Sequence, residues 1–192
     1  QTVTGSNPVA ITKDKKMDRS TEWRYKKTLS FLSKQCDLSS KILDLGTENH
    51  LSQLMKNKGY EVINTKGENL DLDYSAVLDK DIDIVTAFEI FEHMLAPFNI
   101  LRQIKANRLI ASVPLKLWFA SAYWNEQDDR DKHYHEFEVK QFNFLLEKTG
   151  WKIIKSEKWK PYKQLKFGIR PFLRMFTNRY YIVYCERVDT IS

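Results

Sequence analysis

Lys41-Ile-Leu-Asp-Leu-Gly46, with Glu89-Ile-Phe-Glu-His93 well downstream, decides how this chain is expected to fold. A short apolar run ending in Asp-x-Gly marks the first strand of an open α/β sheet, where glycine lets the backbone approach a nucleotide-sized ligand closely. The turn continues as Asp44-Leu-Gly-Thr-Glu-Asn-His50, so it keeps only the first glycine of a Gly-x-Gly-x-Gly loop. Glu48 and His50 stand where the other two would be.

Working outward, Trp23, Leu29, Phe31 and Leu32 predict a helix over residues 18–36, packed beside the sheet. Residues 41–45 read as the first strand, 50–58 as a helix closed by Gly59, and 60–64 as the second strand. The stretch 65–81 carries Asp71, Asp73, Asp79 and Asp81 and is too short for a regular helix-strand pair, so one α/β unit is trimmed. A strand over 82–87 leads into a helical segment from Glu89 that Pro97 interrupts or restarts and that runs through Ile104. A strand over 108–113 ends at Pro114, and Phe142, Leu145 and Leu146 with Gly150 define an amphipathic helix over 138–149. Residues 151–154 and 180–185 supply the last strands. Strands alternating with helices in this way call for a doubly wound, mostly parallel sheet covered on both faces.

The 192 residues are 42% hydrophobic and 13% aromatic, enough for one domain with a real core. No window approaches the roughly 18 to 20 apolar residues of a membrane helix. Cys36 and Cys185 are too far apart for metal-type spacing and are expected to be buried free thiols, so a soluble, cytoplasmic protein is predicted. Residues 1–16 lack both a starting methionine and the layout of a secretory signal. The codons open to Gly5-Ser-Asn-Pro8 permit a stretch like the T-arm of a transfer-RNA gene, so 1–16 is expected to be a disordered or mis-assigned leader before a single domain over 17–192. Without Lys13, Asp14, Lys15 and Lys16 the net charge of +6 falls to +4.

The order of motifs resembles the class I S-adenosylmethionine-dependent methyltransferases from Lys41 to about Glu186. The matching stretches are Lys41-Ile-Leu-Asp-Leu-Gly46, Ile82-Asp-Ile-Val-Thr-Ala-Phe-Glu-Ile-Phe-Glu-His93, Ala111-Ser-Val-Pro114 and His135-Glu-Phe-x-x-x-Gln-Phe-x-x-Leu-Leu-x-x-x-Gly-Trp151. The resemblance implies a Rossmann-like sheet of seven strands, the last antiparallel, and S-adenosylmethionine as cofactor. It implies that Asp44, Gly46 and Thr47 border the methionine part, that Asn64 and Asp71 serve the ribose side, and that Phe88 and Glu89 lie by the adenosyl group. Two positions depart from the pattern. Glu48 and His50 replace glycines, and Asn64 or Thr65 stands where many members carry an acidic residue.

Glu89, Glu92 and His93 are spaced i, i+3, i+4, which on a helix would present all three from one side. The same spacing resembles that of the O-methyltransferases of ubiquinone biosynthesis, which implies a divalent cation near the acceptor hydroxyl. The preferred expectation is a polar pocket without metal, with Glu89, Glu92 and His93 as metal ligands the alternative, or His93 alone as general base. A second cluster, Asp128-Asp-Arg-Asp-Lys-His-Tyr-His-Glu136, offers His133 and His135 as proton acceptors, with His135 favoured by its place in the motif. Trp118, Phe119, Tyr123 and Trp124 before it would shape an apolar acceptor pocket if they face inward.

Residues 152–179 carry nine Lys or Arg against Glu157 alone, interleaved with Trp159, Tyr162, Phe167, Phe172 and Phe176. A short helix with Ile169, Phe172, Leu173 and Phe176 on one face and Arg170 and Arg174 on another suits an anionic acceptor or peripheral contact with a membrane surface, with nucleic acid or a plain solvated insertion as alternatives. No Gly-x-x-x-x-Gly-Lys or complete Gly-x-Gly-x-x-Gly is present, which argues against nucleotide hydrolysis and dinucleotide redox chemistry. Methyl transfer to oxygen or nitrogen of a small-molecule or lipid-like acceptor is the leading expectation. A non-catalytic binding module that has lost cofactor affinity is the alternative. An RNA-modifying enzyme ranks behind both, because no Asn-Pro-Pro-Tyr-type signature occurs.

Overall fold

The strand predicted from Lys41 is β1 (Lys41–Asp44), buried at Ile42, Leu43 and Asp44 in a computed structural model that describes residues 17–162 and 168–188. The expected leader 1–16 lies outside the described residues. Around β1 are β2 (Glu61–Asn64), β3 (Ile84–Phe88), β4 (Arg108–Pro114), β5 (Trp151–Trp159) and β6 (Tyr180–Arg187), in the order β2-β1-β3-β4-β6-β5. β2, β1, β3 and β4 are mutually parallel, and β6 runs antiparallel between β4 and β5.

The helices are α1 (Arg19–Gln35), α2 (His50–Asn57), α3 (Pro97–Gln103), α4 (Val139–Lys148) and α5 (Ile169–Phe176). Asp18 caps α1 by accepting from the N–H groups of Ser20 and Thr21, and Asn49 and Ser52 form a reciprocal capping box on α2. Successive strand residues point to opposite faces, and this alternation builds two cores. Ile42, Ile84, Ile110 and Ile182 pack with Phe31 and Leu32 of α1 and Met55 of α2. Leu43, Val85, Leu109 and Ala111 pack with Ile100 and Leu101 of α3 and Phe142 and Leu146 of α4.

The sheet has six strands among the described residues rather than seven. Between β2 and β3 there is only a 3-10 turn, Ser75–Leu78. The acidic sequence explains the trimming, because side chains capture the backbone donors a strand would use. Asn69 accepts from the N–H of Asp71, Asp73 from that of Ser75, and Asp79 from that of Asp81.

The helix expected from Glu89 does not form. Glu89 takes a left-handed φ of 57°, and Phe91–His93 is a single 3-10 turn before α3 begins at Pro97. β5 is longer than expected, since its exposed lysines hide a nine-residue strand that pairs along β6. Both cysteines are free and buried, as expected.

Candidate active site

The loops after β1, β3 and β4, together with α1 and the segment entering β6, enclose a cavity of about 490 Å³ at the carboxyl edge of the parallel strands. Arg24, Asp44, Phe88, Glu89, His93 and His133 are among its lining residues. A second cavity of about 560 Å³ lies between residues 67–71 and 90–95. Ile90 and His93 line both.

At the end of β1, Asp44 is 3% exposed. Its carboxylate accepts the Thr86 hydroxyl at 2.6 Å and the Asn64 amide at 3.1 Å, yet burial outweighs these bonds and pushes its pKa up to about 6. The Asn64 amide also donates to the Gly46 carbonyl at 3.3 Å, while its own Oδ1 is buried without a partner. Gly46 holds a φ of 111° and donates its N–H to the Thr65 hydroxyl at 2.7 Å. The conformation favours glycine, and a Cβ there would sit 3.2 Å from Ile90 Cδ1, which would have to give by a few tenths of an ångström.

The two residues that replace glycines leave the loop open. Glu48 turns outward to Lys56 at 3.1 Å, and His50 stacks on Tyr25 with ring centroids 6.2 Å apart. Neither lines either cavity.

After β3 the backbone of Glu89 is fixed by its N–H to the Ser112 carbonyl at 2.9 Å, and its carboxylate forms an ion pair with Arg24. Burial pushes the Glu89 pKa up and Arg24 opposes it. Glu92 is 1% exposed, and burial with Glu89 nearby raises its pKa well above the usual carboxylate range. His93 Nδ1 lies 3.1 Å from the Lys132 carbonyl, which can only accept, so Nδ1 carries the proton and Nε2 the lone pair. Burial, reinforced by neighbouring His133, lowers the His93 pKa.

The loop after β4 folds back over this turn. The N–H groups of Tyr134 and His135 both donate to the Glu92 carbonyl, at 2.8 and 3.2 Å. His133 sits edge-on to His93 with ring centroids 4.8 Å apart, and its Nδ1 is 3.1 Å from Glu136. Tyr123 donates its hydroxyl to Asp131 at 2.8 Å, and both line the first cavity.

A family model described as a methyltransferase domain matches residues 17–156, more than half of the chain. The chain belongs to the methyltransferase-domain family. Comparison with curated proteins yields no match. Among solved structures, a SAM-dependent methyltransferase from Archaeoglobus fulgidus superposes with a TM-score of 0.59 at 16% identity, over 88% of this chain and 95% of that one. The methyltransferase in complex with the Trm112 activator from Haloferax volcanii gives 0.64 at 12%, over 90% and 93%. The 1,6-didemethyltoxoflavin-N1-methyltransferase of Burkholderia thailandensis, with bound 1,6-didemethyltoxoflavin and S-adenosylhomocysteine, gives 0.54 at 13%, over 92% and 93%. At these identities the likeness is one of fold.

Within this methyltransferase domain the residues singled out from sequence fall into three groups. Asp44, Phe88, Glu89, His93 and His133 line the first cavity, Thr47 and Asp71 the second, and Gly46 and Asn64 lie beside Asp44. Asp71 uses both carboxylate oxygens on the backbone before α3, accepting from Leu95 at 2.9 Å and Ala96 at 2.7 Å. His135, which the motif favours within its loop, lines neither cavity. Its Nε2 lies 3.2 Å from the Leu95 carbonyl, and its ring stacks on Phe137. Glu89, Glu92 and His93 do not form one donor set either, because Glu89 turns to Arg24 while Glu92 and His93 gather with His133. Of the aromatics before the loop only Tyr123 lines the cavity, while Trp118 is 76% exposed.

Asp131, from the polar cluster, and Arg179, from the basic segment, also line the site, and so do Arg24, Tyr25 and Tyr180, which the sequence reading did not single out. Arg24 carried a readable signal. It precedes Thr28 and Phe31 by four and seven residues, so a charge lies on the face of α1 that those two bury.

Proposed function

We propose that this domain transfers a methyl group from S-adenosylmethionine to oxygen or nitrogen of a small-molecule acceptor. The observation that carries the reading is the partnerless, buried Asn64 Oδ1 beside Asp44 and the left-handed Gly46. A ribose hydroxyl would satisfy that acceptor, and Gly46 gives the close backbone approach a bound nucleoside needs. In this reading Asp44, Gly46 and Thr47 border the methionine part of the cofactor, Asn64 and the loop with Asp71 serve its ribose side, and Phe88 with Glu89 lies by its adenosyl group.

The cofactor supplies an activated methyl group on a sulfonium, so positioning provides much of the rate. His93 is the first candidate to take the acceptor's proton, since its lowered pKa keeps it neutral and its Nε2 lone pair is unused by the Lys132 contact. His133 is the second, and the position of His135 argues against that role. Arg24 and Arg179, with Tyr25, Tyr123 and Tyr180, suit an acceptor that combines an acidic group with a flat or apolar body. On α5, Phe172 and Phe176 are 59% and 62% exposed beside exposed Arg174, which supports delivery of such an acceptor from an anionic lipid surface.

The binding-module alternative loses its original motive, because Glu48 and His50 leave the loop open. Calorimetric titration with S-adenosylhomocysteine separates the two. Saturable micromolar binding, abolished in Asp44→Ala and Gly46→Val, is expected. A folded chain that takes up neither S-adenosylhomocysteine nor S-adenosylmethionine would overturn the proposal in favour of a module without cofactor.

A further inference from the structure

Three donor side chains from two separate loops converge beside the first cavity. Glu92 and His93 come from the turn after β3 and His133 from the loop after β4, and one donor atom from each lies within 4.8 Å of the others. Neither carboxylate oxygen of the buried Glu92 has a hydrogen-bond partner. A carboxylate sealed from water with nothing to bond is costly, and native folds retain such a group where something else satisfies it.

Both imidazoles are already aimed. His93 gives its Nδ1–H to the Lys132 carbonyl, and His133 gives its own to the Glu136 carboxylate, each at 3.1 Å. The lone pair of each ring is therefore on Nε2, and that of His93 is 3.9 Å from Glu92 Oε1. A carbonyl or carboxylate on the far nitrogen is how proteins fix the tautomer and raise the basicity of a metal-bound histidine. Arg179 steadies the outer partner, with its guanidinium 3.7 Å from Glu136 Oε2.

We propose that Glu92, His93 and His133 form a binding site for a divalent transition-metal cation of the zinc, cobalt or iron(II) class. Two nitrogens and one oxygen suit these ions, whereas magnesium and calcium prefer oxygen donors alone. Bonds of about 2.0–2.2 Å in a tetrahedron set donor atoms roughly 3.4 Å apart, so the separation between Glu92 and His93 needs little change. Donors that lie up to 4.8 Å apart would be drawn in by a small closure of the loop carrying His133. Glu89 takes no part, being paired with Arg24. Three protein ligands leave a position open for water or for a hydroxyl or amine of the acceptor. That use of the ion rests on the methyl-transfer reading; the site itself does not. The ion occupies the His93 Nε2 lone pair, so with it bound the acceptor's proton is lost through metal coordination rather than to His93.

The test is a titration of the tag-free, chelator-treated chain with cobalt(II), followed by visible absorption. One equivalent should give the d–d bands of four- or five-coordinate cobalt, and zinc(II) should displace it while equimolar magnesium does not. His93→Ala and His133→Ala should abolish the signal, and Glu136→Gln should weaken binding by about 10–100-fold. His135→Ala, outside the cluster, should leave it unchanged, with circular dichroism confirming that each variant is folded. Absence of saturable cobalt uptake by the folded wild-type chain would overturn the site, as would uptake that survives both histidine substitutions. Displacement by equimolar magnesium would overturn the assignment to a transition metal. Neither cofactor nor acceptor is present, so the result stands apart from the S-adenosylhomocysteine titration.

Discussion

Asp44 sets function against stability within one side chain. Below about pH 4 its carboxyl is protonated in folded and unfolded chains alike. From there to about 6, the folded-state pKa, only the folded chain keeps the proton, so stability of the ligand-free protein falls as pH rises through that window. A difference of roughly two pKa units corresponds to about 3 kcal/mol. Asp44→Asn should therefore raise the thermal midpoint at pH 7.5, flatten its dependence between pH 4 and 6, and weaken binding of S-adenosylhomocysteine. Thermal melts across pH read the first two effects, and an unchanged pH dependence would show that burial of Asp44 is not their source. Ile90 poses a different question, because its side chain approaches Gly46 between the two cavities and lines both. A ligand spanning the cavities must displace it. Ile90→Ala should tighten S-adenosylhomocysteine binding by a few-fold in calorimetry; weaker binding would make Ile90 part of the ligand's wall instead of an obstacle.

Among the elements, β5 shows why basic composition misleads. Lys152, Lys155 and Lys158 are exposed on a strand at the sheet's edge, where lysine discourages pairing with another chain. Three of the nine basic residues of segment 152–179 thus have a structural explanation in the edge strand, and the proposed lipid contact rests on α5. Replacing all three lysines by valine should cause concentration-dependent association in light scattering with secondary structure retained; a monodisperse product would return these lysines to a binding role. β1, β3, β4 and α4 were legible because each is a short apolar run or a clean helical period between turn signals. The turn after β3 was not, since the spacing of Glu89, Glu92 and His93 is compatible with a helix and nothing local announces the left-handed backbone of Glu89. The choice between His133 and His135 depended on Glu92, whose main-chain carbonyl anchors the loop from far away in sequence. Such long-range partners are invisible to a local pattern.

For the molecule as a whole, the parallel half of the sheet was readable and the trimmed unit was anticipated, but its consequence for the site was not. With no strand between β2 and β3, β2 becomes an edge, and the second cavity is walled by a loop held through Asp71 to the backbone before α3. The opposite half has the more consequential arrangement. β6 lies inside the sheet, pairing with β4 from Arg108 opposite Glu186 to Pro114 opposite Tyr180 on one side, and with β5 on the other. Pairings so distant in sequence carry a large loop-closure entropy and form slowly. As the ribosome releases the chain from its amino end, β1 to β4 can assemble while one flank of β4 stays bare, and β5 emerges with nowhere to dock. Among the described strands β5 pairs with β6 alone, so the sheet is sealed only when β6 brings it in against β4, and until then the nascent protein carries an unguarded hydrophobic seam.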